Sequence, residues 1–289
     1  MRALSPQLWI KRDDLCADPM GGNKVRALEF LLGGIAHDER IVTVGSAGST
    51  HALAVATYGK RLGAHVVVAR WTQEMNTAAT HVAERLVREA EAAPLFRSPA
   101  GAYAWALRER LQGARWIPAG GGSPLGVLGH VNAGLELVAQ IDAGVLSQPA
   151  CVVVPLGTGG TAAGLALAFA IAQRDIRVVG ARVVPRIVAR QGRVLGLARR
   201  TARLIERMAS AKLPRVRAHM LDVAHETYGG AYGRETEVAT HAAGQLRASS
   251  GISLDGTYSA KAFALALSLA AREPTLFWLT FDSRLLSGS

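Results

Sequence analysis

The sequence predicts an α/β protein of two open parallel-sheet domains. Apolar, β-branched runs at residues 41–44 and 151–155 each lead into a turn rich in Gly, Ser and Thr, then a helical pattern, then a second apolar run. Strand, glycine turn, helix, strand is the βαβ unit of a parallel sheet. The 289 residues exceed one ordinary compact core, and 49% hydrophobic against 19% charged residues can bury a sizeable interior.

The elements follow in order. Leu8 to Arg12 reads as a short strand. Beyond it Asp13-Asp14-Leu15 and a loop through Pro19 lead to a Gly21-Gly22 turn, and Val25, Leu28, Leu31 and Leu32 give a helical stripe. A strand at 41–44, a helix over about 52–62 ended by Gly63, and a strand at 64–69 complete the first unit. A helix over 77–92, a brief strand at 94–96, a helix over 100–111 and a strand at 115–118 follow. The glycine-rich break at 119–124 is the expected crossing between domains, before a helix to about 143. The second unit has a strand at 151–155, a helix over 162–172 and a strand at 177–181. A basic helical region, a Gly/Tyr-rich segment at 228–233, helices over 235–249 and 261–271 around a turn at 254–259, and a last strand at 275–280 close the chain.

The formal net charge of +11 is concentrated. Residues 182–217 carry eleven Arg or Lys against the single acid Glu206. Arg186, Arg190, Arg193, Arg200, Arg203 and Arg207 recur at helical steps, with Leu197, Leu204, Ile205 and Met208 as apolar positions between them. One amphipathic helix, or a pair, with a solvated basic face is expected rather than a nucleic-acid surface, because no aromatic interleaving accompanies it. Two cysteines, Cys16 and Cys151, are too few for a disulfide framework and fit a reducing, cytoplasmic setting. No targeting leader or bilayer-length apolar stretch is read, and no metal is expected.

Three segments can carry chemistry. Lys24 sits where the Gly21-Gly22 turn becomes a helix; the positive end of the helix dipole and shielding from water both disfavour an ammonium there. A lysine so placed can attack a carbonyl. Gly157-Thr158-Gly159-Gly160-Thr161 lies between a strand and a helix, where backbone N–H groups can turn toward one dianion. It lacks the endings of nucleotide and dinucleotide loops. Ser49-Thr50-His51 holds the matching position on the first unit, suited to a helix cap or to a small carboxylate.

Taken with Lys11-Arg12-Asp13-Asp14-Leu15, these segments occur in an order that resembles the pyridoxal-phosphate enzymes of fold type II (tryptophan synthase β-like). The branch most resembled holds 1-aminocyclopropane-1-carboxylate deaminase and D-cysteine desulfhydrase. The resemblance implies that pyridoxal 5'-phosphate is the cofactor, that Lys24 joins its aldehyde and later moves the substrate α-proton, and that Gly157, Thr158, Gly159, Gly160 and Thr161 hold its phosphate. It further implies that Ser49 binds the substrate carboxylate, that Tyr232 and Tyr258 face the substrate, and that Thr280 partners the pyridine nitrogen. Thr50 stands where the family has an asparagine near the cofactor's phenolic oxygen. Ser259 replaces the glutamate of the cyclopropane-opening enzymes, which argues against that reaction. Phe281-Asp282 replaces a Gly-Gly and alters the pocket wall.

The expectation is a small domain at 38–122 inserted into a large one made of 1–37 and 123–289, with the cofactor between them. The expected reaction is α,β-elimination or deamination of a small amino acid, D-cysteine by resemblance, giving a keto acid and ammonia. β-Replacement and a non-catalytic cofactor-binding relative are the alternatives. A homodimer is implied by the resemblance.

Overall fold

The computed structural model describes residues 2–5 and 7–286. Among the described residues, ten strands fall into two sheets. The smaller one has the order β5 (Leu95–Phe96), β4 (His65–Trp71), β3 (Arg40–Ser46), β6 (Arg115–Ile117), all parallel. The larger has the order β1 (Arg2–Ser5), β2 (Leu8–Arg12), β10 (Thr275–Leu279), β7 (Cys151–Leu156), β8 (Arg177–Arg182), β9 (Leu221–Ala224). It is parallel except for the β1–β2 pair at its edge.

Both sheets are covered on both faces, which is why their strands read as continuous apolar runs rather than alternating ones. Along β7, Val152, Val154 and Leu156 pack against α5 (Pro124–Asp142), α6 (Gly160–Ile171) and α7 (Gln191–Ala209). Cys151 and Val153 point the other way, into a core with Leu246 of α8 (Glu237–Ser250) and Phe263 of α9 (Ser259–Ala270). In the smaller sheet Ile41, Val66 and Val68 meet α1 (Asn23–Leu31), α2 (Thr50–Arg61) and α3 (Thr77–Glu89). Val42, Val44, Val67 and Ala69 meet Ala102 and Ala106 of α4 (Pro99–Leu111).

Two expectations are corrected. Strands β1 and β9, both at sheet edges, are additional to the sequence reading. The basic region forms the single helix α7, the first of the two alternatives read from the sequence. Leu197 is buried in it, but Met208 is 72% exposed, so the apolar stripe ends a turn or more before the helix does. Arg193, Arg199, Arg200, Arg203 and Arg207 are exposed. Among the described residues no helix is long and apolar enough to cross a membrane.

Candidate active site

The Gly21-Gly22 turn is held by the far end of the chain. Gly22 N donates to the Asp13 carbonyl (2.8 Å) and Asn23 N to the Thr280 carbonyl just beyond β10 (3.1 Å). Gly22 has φ +95°, and a Cβ there would stand 2.6 Å from that Thr280 oxygen, so only glycine allows the approach. The turn therefore delivers Lys24 into the first turn of α1, at the C-terminal end of β10, an interior strand of the larger sheet. Burial pulls the Lys24 ammonium down to about 8. His51 and His130 are driven to about 3, first by burial and then by the charge of Lys24, so both imidazoles are neutral near pH 7.

Across from Lys24, the turn after β7 opens α6. Its N-cap is Gly159, with φ +89° and no side chain to cap the helix. Among the described residues, nothing accepts a hydrogen bond from the N–H groups of residues 158–162. Thr161 Oγ1 accepts from Asn23 Nδ2 (2.8 Å), which ties the loop to the helix bearing Lys24. Gly120 approaches so closely that a Cβ there would lie 2.6 Å from Thr158 Oγ1. The glycine-rich break expected to join domains is thus also a wall of this site.

Lys24, Thr50, Tyr258 and Thr280 line one cleft together with residues 157–161. Its unfilled space, open mouth included, is about 500 Å³. Free N–H groups converging at a helix start suit a dianion, and an amine of depressed basicity faces them. A phosphate-bearing aldehyde fits this donor set.

An adjoining cleft shares Thr50, Tyr258 and Phe281 with the first. Here Tyr232 and Tyr258 meet hydroxyl to hydroxyl with rings edge-on, centroids 6.0 Å apart. Ser46 Oγ also donates to the Tyr232 hydroxyl (3.4 Å). Burial raises both phenols, Tyr258 further because Tyr232 lies against it. The buried Asp255 carboxylate accepts from the N–H groups of Tyr258 (2.8 Å) and Ser259 (3.0 Å), fixing the turn that presents Tyr258.

Ser49 stands apart from this grouping. It caps α2 by accepting from Ala52 N (3.2 Å) and is not among the residues lining either cleft. Ser259 is fully buried and is not among the residues lining either cleft. Asp282 is buried and structural. It accepts from Gly21 N (2.8 Å) and holds the Arg284 guanidinium (2.7 Å). Sequence reasoning missed Asn23, Gly120, Asp255 and this role of Asp282. The position of Asn23 beside Lys24 could have signalled the first, but nothing local signals the others.

The profile of the family described as "Pyridoxal-phosphate dependent enzyme" matches residues 2–279. A putative 1-aminocyclopropane-1-carboxylate deaminase of Pyrococcus furiosus is 31% identical over 280 residues, 94% of this chain and 82% of the relative. A D-cysteine desulfhydrase of Salmonella typhi is 31% identical over 274 residues, 90% of this chain and 80% of the relative. A solved structure described as an ACC deaminase homologue superposes with a TM-score of 0.76 at 29% identity, covering 95% of this chain and 84% of its own. With the profile spanning both sheets, the chain belongs to the family of pyridoxal-phosphate dependent enzymes, whose cofactor is pyridoxal 5'-phosphate.

Proposed function

We propose that the protein catalyses α,β-elimination from a small amino acid, releasing a keto acid and ammonia. D-Cysteine is the preferred substrate, with water consumed and pyruvate, hydrogen sulfide and ammonia formed. The observation that carries this reading is that Lys24, its basicity lowered by burial, shares one cleft with the open N-terminus of α6.

When bound, pyridoxal phosphate supplies an electron-accepting ring for the electrons left on the substrate α-carbon. Residues 157–161 would hold its phosphate through their free N–H groups and Thr hydroxyls. Thr280 would face the pyridine nitrogen and Thr50 the phenolic oxygen. Lys24 would anchor the aldehyde and, once displaced by the substrate amine, take the α-proton at Nζ. An amine titrating near 8 is matched to proton transfer close to neutral pH. Ser49, outside the lining of both clefts but next to Thr50, which lines both, would donate its hydroxyl proton to the substrate carboxylate while its lone pair caps α2. Tyr232 and Tyr258, both kept protonated by burial, would present a hydroxyl to the leaving β-substituent. Serine at position 259, which has no carboxyl group to offer, supports elimination over cyclopropane opening.

The division at 38–122 is part of this proposal. It is supported by the smaller sheet drawing all its strands from residues 40–117. A homodimer acting in the cytoplasm completes it, in keeping with the unpaired Cys16 and Cys151. The test is a screen of D- and L-amino acids read by keto-acid release, with and without sulfide. Keto acid and ammonia in equal amounts support elimination. A new amino acid formed in place of keto acid would replace this reading with β-replacement, and cofactor binding without turnover would make the protein a non-catalytic relative.

A further inference from the structure

The two tyrosines come from loops on the larger sheet's side, 26 residues apart. Each loop has its own local tie. Asp255 orders the turn before α9, and Lys261 Nζ donates to the Tyr228 carbonyl (2.8 Å) at the other end of the 228–233 segment. Neither tie fixes the tyrosines relative to the smaller sheet, whose helix α3 walls their cleft with Ala78, Ala79 and Val82.

One side chain spans all three elements. Asn76 Oδ1 accepts from Ala79 N (2.9 Å) and so caps α3. Its Nδ2 donates to Thr257 Oγ1 (2.9 Å) and to the Gly233 carbonyl (3.4 Å). Thr257 immediately precedes Tyr258, and Gly233 immediately follows Tyr232. The orientation of the amide is set by its partners, because the Ala79 N–H requires an acceptor and the Gly233 carbonyl a donor. The same junction is tightened by an Arg234–Glu74 ion pair (2.9 Å), and a Cβ on Gly233 would lie 2.8 Å from the Glu74 carbonyl.

We propose that Asn76 is a positioning residue that sets the Tyr232–Tyr258 pair against the cofactor cleft by joining both tyrosine loops to the start of α3. A small side chain with one acceptor and two donors is needed, since one end must cap a helix while the other reaches two loops. This proposal rests on the reading of the two tyrosines as substrate-facing groups.

The test uses the holoenzyme and a double-mutant cycle. Asn76→Ser keeps a capping oxygen for α3 but is too short to carry the two donors. Thr257→Val removes the acceptor and leaves the cap untouched. Asn76→Ser should lower kcat about tenfold and Thr257→Val by up to as much, while KM and cofactor affinity stay within about twofold, and the double variant should fall no further than Asn76→Ser alone. A double loss of about a hundredfold, or single losses carried by KM or by cofactor release, would overturn the proposal. Amide hydrogen exchange provides a readout independent of turnover. Exchange in 228–234 and 255–259 should quicken in Asn76→Ser while that of α3 does not, and unchanged exchange in both loops would overturn the proposal. If the wild-type holoenzyme releases keto acid from no amino acid, the elimination reading fails by itself and the exchange result alone decides the role of Asn76.

Discussion

Two helix starts meet at the cleft, and they are built differently. Helix α2 follows β3 through a serine that turns back to cap it, with Ser49 Oγ accepting from Ala52 N. Helix α6 follows β7 through Gly159, which has no side chain and leaves the N–H groups of residues 158–162 without an acceptor among the described residues. The first start has largely satisfied itself and suits at most a single negative charge. The second remains open to a dianion. A third start, that of α1, places the Lys24 ammonium at the positive end of a helix, where neither the dipole nor burial favours its charge. The two kinds of helix start separate the tasks of holding an anion and keeping an amine reactive.

The strongest way to break the contrast is to close α6. Gly159→Asp puts a carboxylate at the helix start and a Cβ 2.9 Å from Val194 Cγ2, at φ +89°. Cofactor affinity should drop by about a hundredfold or more in an absorbance titration, with both sheets intact by circular dichroism. The amine can be tested next, in the apoprotein. Lys24 titrates near 8 in the fold against 10.5 ordinarily, so the unfolded chain binds the proton more tightly and stability must rise with pH between those values. Lys24→Met should therefore be more stable than wild type below pH 8, by about 3 kcal/mol at most, with the gain shrinking toward pH 10.5 in urea melts. A gain independent of pH would mean that Lys24 is not shielded as described. The smallest effect is expected at the closed start. Ser49→Ala should cost about 1 kcal/mol through loss of the α2 cap and raise KM for the amino acid, leaving cofactor affinity unchanged. A fall in cofactor affinity comparable to that of Gly159→Asp would erase the distinction between the two helix starts.

What the sequence made legible was what local physics fixes. Val152 to Val154 can only be a buried strand, and the glycines after it can only be a turn, so β7, the loop at 157–161 and α6 were readable in advance. Edge strand β9 was not, since Leu221-Asp222-Val223-Ala224 carries an acid whose partner, Arg177, lies on the neighbouring strand. Asp282 read as a departure that altered the pocket wall. Its meaning is a hydrogen bond to Gly21 from 261 residues away, which no local pattern encodes. Asn76 has a residue type common at helix caps, and the atoms that distinguish it touch residues 157 and 181 positions distant. The segments that bear chemistry could be read locally, but the contacts that aim them at one another could not.

The central claim is that Lys24 is the amine joined to the cofactor whose phosphate lies on the open start of α6. The most direct measurement is borohydride reduction of the cofactor-loaded protein followed by peptide mapping. The account predicts one added phosphopyridoxyl group, on the peptide containing Lys24, and its loss when Gly159→Asp protein is treated at the same cofactor concentration. Labelling of Lys11, Lys60, Lys212 or Lys261 in its place, or equal labelling of both proteins at Lys24, would contradict it.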